Sequence, residues 1–429
     1  MGGGVNVDLL YGRKGLSVRL PGGLRTTVVS KRPMEPVPDP DRAVREALES
    51  PSGCTPLREM ACGRKSACIL ICDVTRPVPN GTLLPPLVET IRRAGVPREN
   101  ILILVATGLH RPNEGEELRA VVGSDEVLRS VRVENHFARD DGAHADLGRT
   151  SSGIPIRIDR RFVEADLKIV TGLVEPHFMA GYSGGRKVVA PGIAHVDTIL
   201  AFHGPKVLEH PGSANCVIEG NPLHEAQIEI VRAIGGIAAL NVAIDEDRRI
   251  GFVNFGGIEA SHLEAVEFMR KSAEVPLPRR FRTVVTSGAG YPLDATYYQT
   301  VKGMVGALDI LEPGGTVVIA SECSEGMGSG EFVAAQRLLR ESGPERFLEI
   351  ISKRGRPKID EWQTEMLVKA LRAGTVKLYT TGLSEAERRD ACVESVVSVE
   401  DAVAASVRAH GDPRIAVIPE GPYVIPSCR

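Results

Sequence analysis

Short apolar runs, each followed by a stretch of helical periodicity, recur along the chain and leave it few folds to choose from. The runs 66–73 (SACILICD), 100–108 (NILILVATG), 166–173 (DLKIVTGL) and 238–244 (AALNVAI) read as buried strands. Strands apolar on both faces belong in a parallel sheet covered by helices, so alternation with helical segments such as 83–94 predicts βα units rather than a sandwich. A helix at 258–274 closes this series, and VPLPRR (275–280) is a proline-containing connector of the kind that separates domains. Alternation then restarts, with strands expected at 282–290, 315–323, 375–382 and 414–421 and helices near 330–341, 358–372 and 399–409. At 429 residues the chain exceeds what one core supports. The expectation is two α/β domains, 1–275 and 281–411, with 412–429 a candidate return into the first and the active site in the cleft between them.

Composition narrows the partners. Hydrophobic content of 42%, charged content of 25% and a net charge of −3 describe an ordinary globular chain. With no basic block, neither nucleic acid nor a membrane surface is expected to bind. The first residues lack the order of a signal peptide and no run approaches the roughly 20 apolar residues of a membrane span, so the expected compartment is the cytoplasm. Eight scattered cysteines without a CxxC pair read as reduced packing residues.

Three strand ends run directly into polar motifs. After 66–73 comes DVTRPVP, in which Asp73, Val74, Thr75 and Arg76 are held by two prolines. Asp, Thr and Arg together can bind a ribose hydroxyl, a phosphate or a carboxylate, and they can equally form a structural pair at a turn. GLHRP follows the second strand and carries His110; EPHF follows the third and carries His177. In open α/β sheets ligands sit beyond the carboxyl ends of strands, so the three motifs should converge on one pocket. The run HFMAGYSGGRK continues from His177 to Lys187, and Gly181, Gly184 and Gly185 let its backbone approach a ligand. It is not a Walker loop, because the residue that follows Gly181 after four intervening positions is Arg186 rather than glycine, and Val188 follows the lysine. His195 and His203 flank a short helical stretch without the spacing of a zinc helix, and His203 alone could be a helix cap. Beyond the connector, Gln299 and Lys302 lie three residues apart, on one face if helical, where they could grip a carboxylate or simply face solvent. The segment 321–329 is another polar strand end that names no chemistry.

Taken jointly, DVTRPVP, GLHRP, PHFMAGYSGGRK, TILAFH and the YQxxK element resemble, in order and spacing, the nickel-dependent lactate racemase family. The resemblance covers about residues 65–330. It implies a cofactor, the nickel pincer nucleotide (Ni(II) pyridinium-3,5-bisthiocarboxylic acid mononucleotide), and cofactor-biosynthesis proteins as partners. Carried over by motif, it implies that Lys187 links the cofactor through a thioamide, that His203 ligates nickel and that Asp73 to Arg76 contact the nucleotide. His110 and His177 would be the acid–base pair, and Arg76, Gln299 and Lys302 would bind substrate. The first domain would then hold the cofactor and the second the substrate.

Such a set suits inversion of a 2-hydroxy acid. Removing the α-proton beside a carboxylate is hard, whereas removing hydride gives a planar keto acid that can be reduced on either face. The hydroxyl must lose its proton meanwhile, and the two enantiomers present it in different places, so two histidines are needed. Soft sulfur and imidazole suit nickel. Two other readings stay open: a zinc- or iron-dependent hydrolase or lyase with His110, His177 and His203 as direct ligands, and a non-catalytic nickel- or nucleotide-binding module.

Overall fold

The computed structural model describes residues 4–354 and 356–428. These fall into two compact units, one formed by 33–202 and 210–271, the other by 1–32, 203–209 and 272–429.

In the unit formed by 33–202 and 210–271, a six-stranded sheet has the order Ile250–Gly257, Ile237–Ile244, Leu167–Leu173, Ala67–Cys72, Ile101–Ala106, Arg132–Asn135. Every pairing is parallel except that of Ile250–Gly257, which runs antiparallel at one edge. Ala67–Cys72 and Ile101–Ala106 are buried over their first five residues, as continuous apolar runs require when helices cover both faces. The helix expected at 83–94 begins earlier, at Asn80, because Pro79 closes the preceding turn and the Asn80 amide is buried on the Val121 carbonyl at 2.8 Å. Leu83, Leu87 and Ile91 then recur at helical spacing and pack with Ile69, Ile71 and Ile103 in the core.

The other unit has a second six-stranded sheet, wholly parallel, in the order Glu394–Val396, Gly374–Tyr379, Leu311–Ala320, Phe281–Ser287, Arg414–Ile418, Arg25–Val28. Its helices include Gly330–Ser342, Glu361–Ala373 and Val399–His410, near the expected spans, and Pro344–Lys353, which was not expected.

The structure departs from the expected domain limits at four places, one of them the crossing of residues 203–209 into the second unit. Residues 4–32 pack with the second unit, not the first: Arg25–Val28 extends its sheet, and the hairpin strands Asn6–Leu9 and Leu16–Arg19 bury Val7, Leu9 and Val18 against Val285, Val318 and Val403. The C-terminal strand does not return to the first unit, since Arg414–Ile418 lies between Phe281–Ser287 and Arg25–Val28. Part of the connector is itself structured, Glu274–Pro276 pairing with Ile425–Ser427. Residues 1–3 and 429 lie outside the described residues. No described helix is long and apolar enough to cross a membrane, and the eight cysteines are all unbridged.

Candidate active site

Because Leu167–Leu173, Ala67–Cys72 and Ile101–Ala106 are neighbours and parallel, their carboxyl ends stand side by side. Adjacent strands are about 4.8 Å apart, so the loops carrying His177 and His110 leave the sheet only about 10 Å apart, with Asp73 just past the end of the strand between them.

Asp73 is buried, and both its carboxylate oxygens are engaged. Oδ1 accepts from the Thr75 hydroxyl at 2.6 Å and from the Thr75 amide at 3.2 Å, and Oδ2 lies 2.6 Å from His110 Nδ1. Burial pushes the Asp73 carboxyl up, but the bonds from His110 and Thr75 outweigh it and hold the group below its usual range. A carboxylate on Nδ1 fixes the neutral ring as the Nδ1–H tautomer, which leaves a lone pair on His110 Nε2. The His110 side chain is 60% exposed, so that lone pair belongs to a ring within reach of a ligand. Val74 is exposed and contributes backbone, its amide donating to Asn113 Oδ1 at 3.2 Å. The Arg76 guanidinium pairs with the Glu175 carboxylate, an interaction the sequence reading did not foresee.

His177 is held in the opposite sense. It lies in a two-residue hairpin strand paired with Gly181–Tyr182, and its Nδ1 accepts from the Met179 and Ala180 amides at 3.3 and 3.2 Å. An Nδ1 that accepts two N–H bonds carries no proton, so in the neutral ring the proton is on Nε2. In their neutral forms the two candidate histidines therefore differ in tautomer, His110 carrying its proton on Nδ1 and His177 on Nε2.

Lys187 follows on the same loop, in the short helix Arg186–Val189. The loop lies so close to the strand Leu167–Leu173 that a Cβ on Gly172 would sit 2.5 Å from the Gly185 amide nitrogen. A Cβ on Gly181, where φ is +75°, would meet the Val217 carbonyl at 2.0 Å. Burial pushes the Cys72 thiol up to about 12, and the charges it feels next are those of Arg76, Asp73 and Lys187. Lys187 and the Asp73 motif therefore surround the same strand end.

His203 is placed differently from expectation. It belongs to the unit formed by 1–32, 203–209 and 272–429, where its ring packs on Trp362 with centroids 4.6 Å apart. Trp362 Nε1 donates to the Tyr298 hydroxyl at 3.1 Å. Tyr298 lies in the helix Tyr297–Gly306, which also carries Gln299 and Lys302. Gln299 Oε1 is buried with no hydrogen-bond partner among the described residues, an acceptor that awaits a donor. The structure thus places His203 in the same unit as Gln299 and Lys302, and His110, His177, Arg76 and Lys187 in the other. Among the described residues no group of three or more His, Cys, Asp or Glu side chains could hold a metal ion. Trp362 was not singled out from the sequence, although it is the only tryptophan and could have drawn notice for that.

Residues 11–215 match the lactate racemase N-terminal domain family and residues 279–425 the lactate racemase C-terminal domain family. A lactate racemase of Thermoanaerobacterium thermosaccharolyticum is 34% identical over 430 residues, covering 98% of this chain and 99% of that one. A lactate racemase of Lactiplantibacillus plantarum is 34% identical over 330 residues, 76% of this chain and 77% of that one. The lactate racemase apoprotein structure from T. thermosaccharolyticum superposes with a TM-score of 0.91 at 32% identity, covering 98% of this chain and all of that one. A Thermotoga maritima protein with a TM-score of 0.68, 19% identical, shares the fold.

Proposed function

The chain belongs to the lactate racemase family and is an isomerase, and from that premise we propose that it inverts the α-carbon of a lactate-like 2-hydroxy acid with a nickel pincer nucleotide as cofactor. The observation that carries this reading is the pair of imidazoles beyond the strand ends of one sheet, each engaged through Nδ1. A racemase needs two such groups, one to take the hydroxyl proton from one enantiomer and one, as the imidazolium, to return a proton to form the other.

The residues present fit the cofactor. Gly181, Gly184 and Gly185 take positive φ and form a cradle that added Cβ atoms would strain or fill, and Lys187 stands at its end with an amine able to form a thioamide. His203 would supply nickel with the imidazole nitrogen it favours beside sulfur. Thr75 and Arg76 would contact the nucleotide, with Val74 offering backbone and Asp73 turned toward His110. When bound, the cofactor supplies a centre able to take up and give back hydrogen with its bonding electron pair. Loading would fall to separate cofactor-biosynthesis proteins.

The chain's own residues do the rest. His110 Nε2 takes the hydroxyl proton of one enantiomer, and Asp73 steadies the imidazolium so formed. His177, once protonated to the imidazolium, would return a proton to the oxygen as the other enantiomer forms, and in the reverse direction the two rings would exchange these roles. Lys302 and Arg76 would hold the substrate carboxylate, with Gln299 binding substrate beside Lys302.

Intact-mass analysis of protein co-produced with the cofactor-biosynthesis proteins tests this reading. A nickel-bearing adduct should appear on the wild type and map to Lys187, disappear in Lys187→Ala and remain absent in Lys187→Arg, since a guanidinium is a poor nucleophile near neutral pH. An adduct retained in either variant would remove Lys187 from its assigned role.

A further inference from the structure

Beside Lys187 stands the largest fully buried side chain among the described residues, Arg186, at 0% exposure. A guanidinium buried without a carboxylate is costly and persists only where other groups satisfy it. Here Nη2 donates to the Ala180 and Tyr182 carbonyls at 3.1 and 3.2 Å, and Nη1 lies 2.6 Å from His262 Nε2. Burial lowers the Arg186 pKa to about 9, which still leaves it charged at neutral pH.

His262 is neutral, because burial first and the Arg186 charge second push it well below 6.5. Its Nε2 also lies 2.9 Å from the Ser183 carbonyl, and one nitrogen cannot both accept from Arg186 and donate to Ser183. A cation at 2.6 Å selects the lone pair, so Nε2 accepts from Arg186. The His262 Cβ, on the helix Ile258–Ala273, also lies 3.5 Å from where a Cβ of Gly185 would stand, so this side chain backs the loop.

We propose that Arg186 and His262 are a positioning pair that locks the backbone of residues 180–187 against the helix Ile258–Ala273 and so fixes where His177 and Lys187 present their nitrogens. A loop with positive φ at Gly181, Gly184 and Gly185 has much conformational freedom to lose. Its ordering therefore needs tethers from outside the loop. Arg186 reaches back to two loop carbonyls, and His262 ties Arg186 to a helix more than seventy residues on. Neither residue touches substrate. The catalytic consequence rests on the racemase reading given above; the lock itself does not.

Two arms keep these apart. Amide hydrogen exchange on the unloaded protein reads the lock alone: His262→Phe should speed exchange across 177–187 by about tenfold, the loss of roughly one hydrogen bond, and leave Ala67–Cys72 unchanged. His262→Gln, whose amide oxygen can accept from the guanidinium, should restore slow exchange. In the second arm, His262→Phe should load Lys187 more slowly by intact mass and, once loaded, lower kcat with KM nearly unchanged, with both effects reversed in His262→Gln. Should His262→Phe not fold, Arg186→Lys, which keeps the charge but loses the two-pronged donor, is read in the same way. Unchanged exchange in 177–187, or exchange raised equally in Ala67–Cys72, would overturn the lock. A wild type that acquires no adduct would count against the cofactor reading, and the exchange arm would still decide on the lock.

Discussion

Asp73 lies thirty-seven residues before His110, yet its Oδ2 and the His110 Nδ1 are 2.6 Å apart. The sequence marked both residues as strand-end groups but gave no means of pairing them, because the contact depends on which strands are neighbours. The resemblance assigned Asp73 to the nucleotide, whereas the structure gives it an orienting contact as well. Removing either imidazole should cost about 10²–10⁴ in kcat, with the adduct and its nickel retained, because the proposed mechanism has each move a proton and neither hold the cofactor. Asp73→Asn should also lower kcat while preserving nickel, since an amide does not stabilise the imidazolium as a carboxylate does. His203→Ala should do the reverse and lose nickel first. Metal analysis beside steady-state kinetics on the four variants separates these outcomes; nickel loss in His110→Ala or His177→Ala would turn the roles round.

Strands buried on both faces were legible because no polar residue interrupts them, as in Ala67–Cys72 and Ile101–Ala106. Edge strands were not. Arg25–Val28 and Arg132–Asn135 carry charged and half-exposed side chains on short segments, so neither periodicity nor composition distinguishes them from loops. The loop ending in Lys187 was recognisable from its glycines, but not the reason for Gly172, a glycine inside a strand. Gly172→Ala would place a methyl 2.5 Å from the Gly185 nitrogen and 3.1 Å from the Gly184 Cα, backbone atoms that yield only if the loop moves. The expected cost is about 1–3 kcal/mol of stability, with a lower yield of Lys187 adduct. Thermal unfolding and intact mass measured together check this; a full adduct yield with unchanged stability would show that the loop does not need its close seat on the strand.

At the scale of the molecule, two α/β units were legible from alternation, while the crossing of residues 4–32 and 203–209 into the second unit was not, because it rests on pairing between distant segments. The unit formed by 33–202 and 210–271 carries its own pH dependence. Burial first, and then the charges of Arg186 and Arg232, lower His224 to about 3. A histidine depressed in the folded state stabilises fully above its unfolded value of 6.5, and that contribution is lost as pH falls toward 3. Asp159 adds a second loss: burial raises its pKa, Arg161 and His136 outweigh that, and the result near 2 against a usual 3.8 corresponds to about 2 kcal/mol given up between those values. Denaturant unfolding from pH 7 to pH 3 should therefore show falling stability, with His224→Gln flattening the upper part of the decline; a wild-type profile level to pH 4 would contradict it. The chemistry is tested most directly on the substrate's α-hydrogen. With a panel of 2-hydroxy acids deuterated at the α-carbon, the best substrate of the loaded enzyme should be inverted with its deuterium largely kept, because hydrogen leaving with its bonding pair is returned without trading with water. Rapid loss of the label to solvent during inversion would mean that His110 and His177 move the carbon-bound proton itself, and would contradict the mechanism proposed.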